Sequence, residues 1–149
     1  MDDVILESIK EDDFEELCSL FLEFATFEKL PELMVNTVKK MRAEKEYFQG
    51  FVARENGSEI IGYVTFFHAY YTWTGKSLYM DDLYVKEKFR GKGIGSKLIK
   101  EVISYAKESG CKGLRWQVSN WNTHAMNFYE NLGAKINKVE MNCDLIFDK

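Results

Sequence analysis

The mostly apolar run from Val4 to Ile9 (VILESI) reads as a short strand. From Asp12 the spacing changes. Phe14, Leu17, Phe21 and Phe24 recur three and four residues apart, as one stripe of a helix, with Asp12 and Glu15 as a capping pair. A second helix is predicted from Pro31, a favoured first-turn residue, towards Glu44. YFQGFVARE and EIIGYVTFFHAYY then flank Asn56-Gly57, a strong hairpin signal, and SLYMDDLYV is the third strand of this series. Ile94, Leu98, Ile99, Val102 and Ala106 trace an amphipathic helix over 94–107, with Gly110 just beyond its end, where a left-handed cap often sits. GLRWQVS reads as a strand. NTHAMNFYENLG reads as a short helix capped by Asn122 and stopped by Gly133, and VEMNCDLIF alternates as closing strands. The order β-α-α-β-β-β-α-β-α-β-β predicts an α/β sandwich, one mixed sheet with helices on both faces, in a single domain over residues 1–149.

Composition narrows this picture only a little. A chain of 149 residues, 46% hydrophobic and 30% charged, can bury a full core and is not disordered in type. The net charge of −4 speaks against nucleic acid as the main partner and is compatible with a cationic substrate. Cys18, Cys111 and Cys143 are odd in number and widely spaced, with no metal-ligand pattern, so neither a disulfide framework nor a metal site is expected. His68 and His124 lack partners at metal spacing and read as structural. The amino terminus has no signal-peptide core and no run reaches the ~18 apolar residues of a membrane span. The expected location is the cytoplasm.

The candidate chemistry lies in MDDLYVKEKFRGKGIGSKLI, residues 80–99. FRGKGIGS can be matched to three phosphate-binding templates. A Walker loop fails because the residue five beyond Gly91 is Ser96, and a dinucleotide fingerprint fails at the same serine. The pattern [RQ]-x-x-G-x-[GA] between a strand and a helix is met by Arg90, Gly93 and Gly95. Glycines let the backbone approach a ligand, and the first amides of the following helix point at an anion set there. The bland alternative is a glycine-rich turn with exposed cations. Ahead of the loop, Asp81 and Asp82 stand on an apolar strand, where aspartate is uncommon. Strand neighbours face opposite sides, so one carboxylate is expected in a cleft and the other towards the helix layer.

With the loop, the strand before it and NFYENLGA together, the chain resembles the GNAT (Gcn5-related) N-acetyltransferases over nearly its whole length. YTWTGKSLYMDDLYV, FRGKGIGSKL and NWNTHAMNFYENLGA resemble the diamine branch of that family, the spermidine/spermine and especially the thialysine N-acetyltransferases. The resemblance implies acetyl-CoA as co-substrate, with its pyrophosphate on Arg90 and the amides of Gly91, Lys92, Gly93, Ile94, Gly95 and Ser96. It implies that the backbone of Leu83, Tyr84 and Val85 pairs with the pantetheine arm and that Asn122 contacts the cofactor. Tyr129 matches the acid that protonates the leaving thiolate. Asp81, with Asp82, matches the acidic pair at the reacting centre, and Asp81 is the substrate-facing member. Glu28 and Trp73 match the lining of the amine channel, with Trp116 on the neighbouring wall. A homodimer, direct transfer in a ternary complex and no metal are also implied.

Two departures matter. Polyamine-acetylating members carry Asp-Pro where this chain has Tyr71-Thr72, so the match leans towards thialysine. VEMNCDLIFDK lacks the Gly-Trp that both branches carry near the carboxyl end. By pattern alone Tyr129, beside Phe128, is a packing residue, and Glu28 a solvated one. The expected reaction is acetyl transfer to a primary amine of a small diamine or lysine-like molecule, since a lysine-like ammonium is neutral in about one molecule in a few thousand at pH 7 and needs a carboxylate to take its proton. The alternatives are acetylation of a protein lysine or amino terminus, and a non-catalytic acetyl-CoA-binding regulatory module.

Overall fold

The computed structural model describes residues 3–147. The chain divides into a first unit up to Trp116 and a second from Gln117. The first unit holds a five-stranded sheet in sequence order: β1 (Val4–Ser8), β2 (Gln49–Glu55), β3 (Ile60–Tyr71), β4 (Gly75–Val85) and β5 (Leu114–Arg115). The first four run antiparallel, and β5 pairs in parallel with β4. Asn56 and Gly57 take positive φ (56° and 72°), and Ser58 N–H closes on the Glu55 carbonyl at 3.1 Å. This is the turn that Asn-Gly predicts, set in the connection of residues 56–59 between β2 and β3.

Helices cover both faces of this sheet. α1 (Phe14–Phe27) and α2 (Val38–Ala43) lie on one side, where Phe21 packs on Tyr63 and Phe24 stacks on Tyr84 at ring distances of 5.2 and 5.1 Å. α3 (Ile94–Glu108) lies on the other, with Ile94 and Leu98 against Gly62. Tyr63 and Gly62 are neighbours on β3, so strand alternation alone separates the two cores. The amphipathic stripe of α3 is buried as its pattern predicts, from Ile94 through Ala106, and Gly110 takes the left-handed cap (φ 78°).

Four expectations fail. The long helix from Pro31 is one 3-10 turn, Pro31–Leu33, followed by a separate α2. Asn36 and Thr37 break it: the Asn36 side chain accepts from Thr37 N–H at 2.9 Å, and Thr37 Oγ1 caps Lys40 N–H at 3.1 Å. Asp12 and Glu15 form no capping pair, because α1 starts at Phe14 with Asp13 as its cap residue. Asp13, almost fully buried, is taken instead by Arg54 at 2.6 Å and by Lys10 N–H at 3.0 Å. The strand expected over 113–119 pairs only at Leu114 and Arg115. Finally, 139–147 forms no strand. Val139, Met141, Leu145, Ile146 and Phe147 are each more than 80% exposed, and an extended segment without ladder partners is not a strand.

The second unit carries α4 (Thr123–Asn131). Asn122 caps it through Oδ1 to Ala125 N–H at 3.1 Å, and Gly133 ends it at φ 96°, both as the sequence predicts.

Candidate active site

The two aspartates are brought together by an irregularity in β4. Along the β3–β4 ladder Thr65 lies opposite Asp82, while Phe66 lies opposite Met80. Asp81 is therefore the extra residue of a β-bulge. A regular strand would have turned Asp81 to the α3 face. The bulge instead gives both carboxylates to one cavity, which corrects the expectation that they face opposite sides. This cavity has a volume of about 680 Å³, and Glu28, at the carboxyl end of α1, is its third acid. Its remaining wall is largely apolar, led by Phe21, Phe24, Met41 and Phe66, and no cation is among the described residues that line it.

Charge in this cavity is costly. Asp81 lies at the solvent-exposed margin, yet enough protein surrounds it that desolvation raises its carboxyl above the ordinary value. Asp82 is deeper. Burial first, then the charge of Asp81, with Glu28 adding, push its carboxyl up to about 7. A hydrogen bond from Tyr63 Oη to Asp82 Oδ2 (3.0 Å) acts against that rise. A carboxylate that titrates near neutrality, in an apolar cavity beside a second anion, can both attract an ammonium and take its proton. The sequence singles out Asp81 as catalytic. Electrostatics single out Asp82.

The loop beyond β4 supplies a second feature. Gly91 and Gly93 take φ of 78° and 83°, a region that L side chains rarely adopt, so the backbone itself requires glycine at both. Gly95 differs: it sits in the first turn of α3, where an added Cβ would come no closer than 3.8 Å to Val85 Cγ2. Nothing in the fold demands glycine at that position. The first helical bond of α3 is Lys97 N–H to the Gly93 carbonyl, so the amides of Ile94, Gly95 and Ser96 precede it and point out of the helix end. Arg90 faces away from this turn. Its Nε donates to the Val85 carbonyl at 2.7 Å, and its guanidinium lies over the rings of Phe27 (4.6 Å) and Tyr84 (5.3 Å). It ties the loop to the end of β4. Tyr84 Oη donates to Glu23 at 2.6 Å; burial and that bond raise the phenol above its usual range, against the pull of Arg90.

Next to the loop, β4 has a free edge. β5 pairs only with Leu78 and Tyr79, so among the described residues Leu83, Tyr84 and Val85 have a ladder partner on the β3 side alone. The bulge at Asp81 bends β4 just where a longer β5 ladder would have continued.

Comparison with known proteins now bears on this geometry. The model of the Acetyltransferase (GNAT) family matches residues 14–134. The chain belongs to the GNAT acetyltransferase family. A thialysine N-epsilon-acetyltransferase of Sus scrofa is 36% identical over 146 residues, covering 91% of this chain and 86% of that one. A spermidine/spermine N(1)-acetyltransferase-like protein of Homo sapiens is 28% identical over 132 residues, 82% of this chain and 19% of its own length. The fold is shared with an aminoglycoside acetyltransferase from an uncultured soil metagenomic sample, with a TM-score of 0.82 at 20% identity over 97% of this chain and 98% of that one. The protein is thus an N-acetyltransferase with the GNAT sandwich that the element order predicts.

Within this GNAT chain the predicted site residues separate into groups. Glu28, Asp81 and Asp82 share the cavity. Leu83, Tyr84, Val85 and Gly91 to Ser96 form the open strand edge and the helix turn next to it. Trp73 does not line the cavity: it stands at the tip of the β3–β4 hairpin with 96% of its surface exposed. Trp116 follows β5, half-buried and likewise outside the cavity lining. Asn122 and Tyr129 belong to the second unit, Asn122 as the cap of α4 and Tyr129 as its buried residue, with the Phe128 ring 5.5 Å away. Among the described residues no group of His, Cys, Asp and Glu could hold a metal ion, and no helix is long and apolar enough to cross a membrane. Sequence reasoning missed Tyr63. Its signal was a polar-tipped aromatic inside the aliphatic run EIIGYV, on the pleat face that the hairpin turns towards the acids.

Proposed function

We propose that this acetyltransferase transfers the acetyl group of acetyl-CoA to a primary amine of a small diamine or lysine-like molecule, of thialysine or polyamine type, directly within a ternary complex. The observation that carries this reading is the bulge that turns Asp81 and Asp82 into the cavity of Glu28. Three acids without a lining cation favour a compact cationic ligand, and the apolar wall favours its methylene chain. The Sus scrofa relative is named for an amine of this kind and the Homo sapiens one for its likeness to a polyamine acetyltransferase, and Tyr71-Thr72 leans towards the thialysine end of the range.

The acyl donor fits the loop. Gly95 leaves a Cβ-sized space at the end of α3, and the amides of Gly91 to Ser96 with Lys92 suit a pyrophosphate. The open edge at Leu83, Tyr84 and Val85 suits the amides of the pantetheine arm. Bound there, acetyl-CoA supplies an activated thioester whose C–S bond is exchanged for a C–N bond to the amine. Asp82 accepts the proton that leaves the ammonium, and Asp81 and Glu28 hold the positive charge beforehand. For Tyr129 as the acid that protonates the thiolate, and for Asn122, Trp73 and Trp116 as contacts, the support is the sequence match alone. The same match supports a homodimer, and the signal-free reading of the sequence supports a cytoplasmic location.

The test is CoA release with thialysine, lysine, spermidine and putrescine. Turnover is expected, with thialysine ahead of spermidine. Measurable acetyl-CoA binding without release on any of the four amines overturns the reading in favour of a binding module.

A further inference from the structure

We propose that Tyr63 is a positioning residue of this site: its buried hydroxyl holds Asp82 in the orientation in which that carboxylate accepts the amine's proton. The inference rests on the function proposed above and adds a residue which that reading does not contain.

Tyr63 is completely buried on β3, opposite Tyr84, in the core formed with Phe14, Leu17 and Met41. Phe21 and Tyr84 fix its ring from two sides, at 5.2 and 6.1 Å. Phenylalanine would fill this volume equally well. A phenol there brings a hydroxyl that costs stability unless it is bonded, and its bond goes to Asp82 Oδ2 at 3.0 Å. The Asp82 main chain is held from the same strand, its N–H donating to Thr65 Oγ1 at 3.2 Å. Thus β3 grips Asp82 both beyond and at its backbone, next to a bulge that would otherwise leave the strand loose.

The groups that face Asp82 are few. Asp81 on β4 and Glu28 at the end of α1 raise its carboxyl, Tyr63 from β3 lowers it, and α2 contributes the apolar Met41. Burial, with the charge of Asp82, keeps the Tyr63 phenol protonated well above the ordinary tyrosine range, so its O–H stays available to donate to the Asp82 carboxylate. It engages Oδ2, so Oδ1 is the oxygen left for the substrate. In the step, one N–H bond of the ammonium breaks with its electron pair staying on nitrogen. The proton goes to Asp82, which becomes a carboxylic acid and later loses it to water.

The test compares the full chain with Tyr63→Phe by carbon-13 NMR titration of the Asp82 carboxyl, and by the pH profile of kcat/KM with thialysine. Loss of one hydrogen bond to an ionised group should raise the Asp82 midpoint by roughly 0.5–1 pH unit. The acid limb of the rate should move with it, so that activity falls roughly 2- to 5-fold at pH 7 and recovers by about pH 9. KM for acetyl-CoA should not change. In an Asp82→Asn background, Tyr63→Phe should add less than about twofold. An Asp82 midpoint unmoved by Tyr63→Phe overturns the proposal. The titration needs no turnover, so it stands apart from the question of substrate. A midpoint that moves while the rate limb stays overturns the role of Tyr63 in proton transfer, and with it Asp82 as acceptor. Should Tyr63→Phe fail to fold, 3-fluorotyrosine introduced at position 63 gives a stronger donor of nearly the same shape. It must then lower the midpoint, and no change overturns the proposal.

Discussion

At the scale of the residue, one carboxyl group couples stability to activity. Asp82 titrates at about 7 in the fold, against an ordinary value near ~3.9 in an unfolded chain. Between those values the folded protein holds the extra proton, so stability falls as pH rises through the window and is lowest above pH 7, where the anion is ionised inside the cavity. Asp82→Asn keeps an acceptor for the Tyr63 hydroxyl and removes the charge. It should leave stability unchanged at pH 4 and raise it by about 1–3 kcal/mol at pH 8, allowing for partial solvent screening, which thermal denaturation at the two values will read. The same substitution should lower kcat/KM by ~10²–10³ and abolish the limb near pH 7. A variant more stable and far less active, at high pH only, is the signature of a group kept for chemistry at the expense of the fold.

At the scale of the element, the glycine turn separates fold from ligand. Gly93→Ala forces a side chain into φ 83° and should cost about 1–2 kcal/mol by denaturant titration. Gly95→Ala meets no protein atom closer than 3.8 Å and gains helix propensity, so stability should hold or rise by up to ~1 kcal/mol. Its effect should fall on acetyl-CoA, with KM raised roughly tenfold, or ~1.4 kcal/mol of binding. Unchanged KM would place the donor elsewhere. The elements legible in the sequence were those that local rules determine: the Asn56-Gly57 turn, the buried stripe of α3, the Asn122 cap and the Gly133 stop. Those misread failed either at a competing local cap or for want of a partner distant in sequence. The helix from Pro31 gives way where Asn36 and Thr37 cap a new start, and the pattern in 139–147 has no sheet edge to join. Alternation can nominate a strand but cannot supply its neighbour.

At the scale of the whole molecule, the site draws on segments far apart in sequence: Glu28 ends α1, Tyr63 lies near the start of β3, and Asp82 lies in β4. Family resemblance pointed to Glu28, to the acidic pair and to the glycine loop, because those motifs are short and contiguous. The Tyr63–Asp82 bond was hidden, since it exists only once the hairpin register is known, and that register contains the unpaired Asp81. The bulge also makes chain length a variable of this protein. Removing a residue from a central strand ordinarily rotates everything on one side of the cut to the wrong face. Here Met80 and Asp82 already sit opposite the adjacent residues Phe66 and Thr65. A chain one residue shorter, lacking Asp81, therefore closes the ladder without moving either neighbour. It should fold with a melting temperature at or above that of the parent while losing one of its three cavity acids, and amine KM would rise as Tm is maintained. Deletion, usually the harsher change, becomes a gentler probe of this strand than many substitutions.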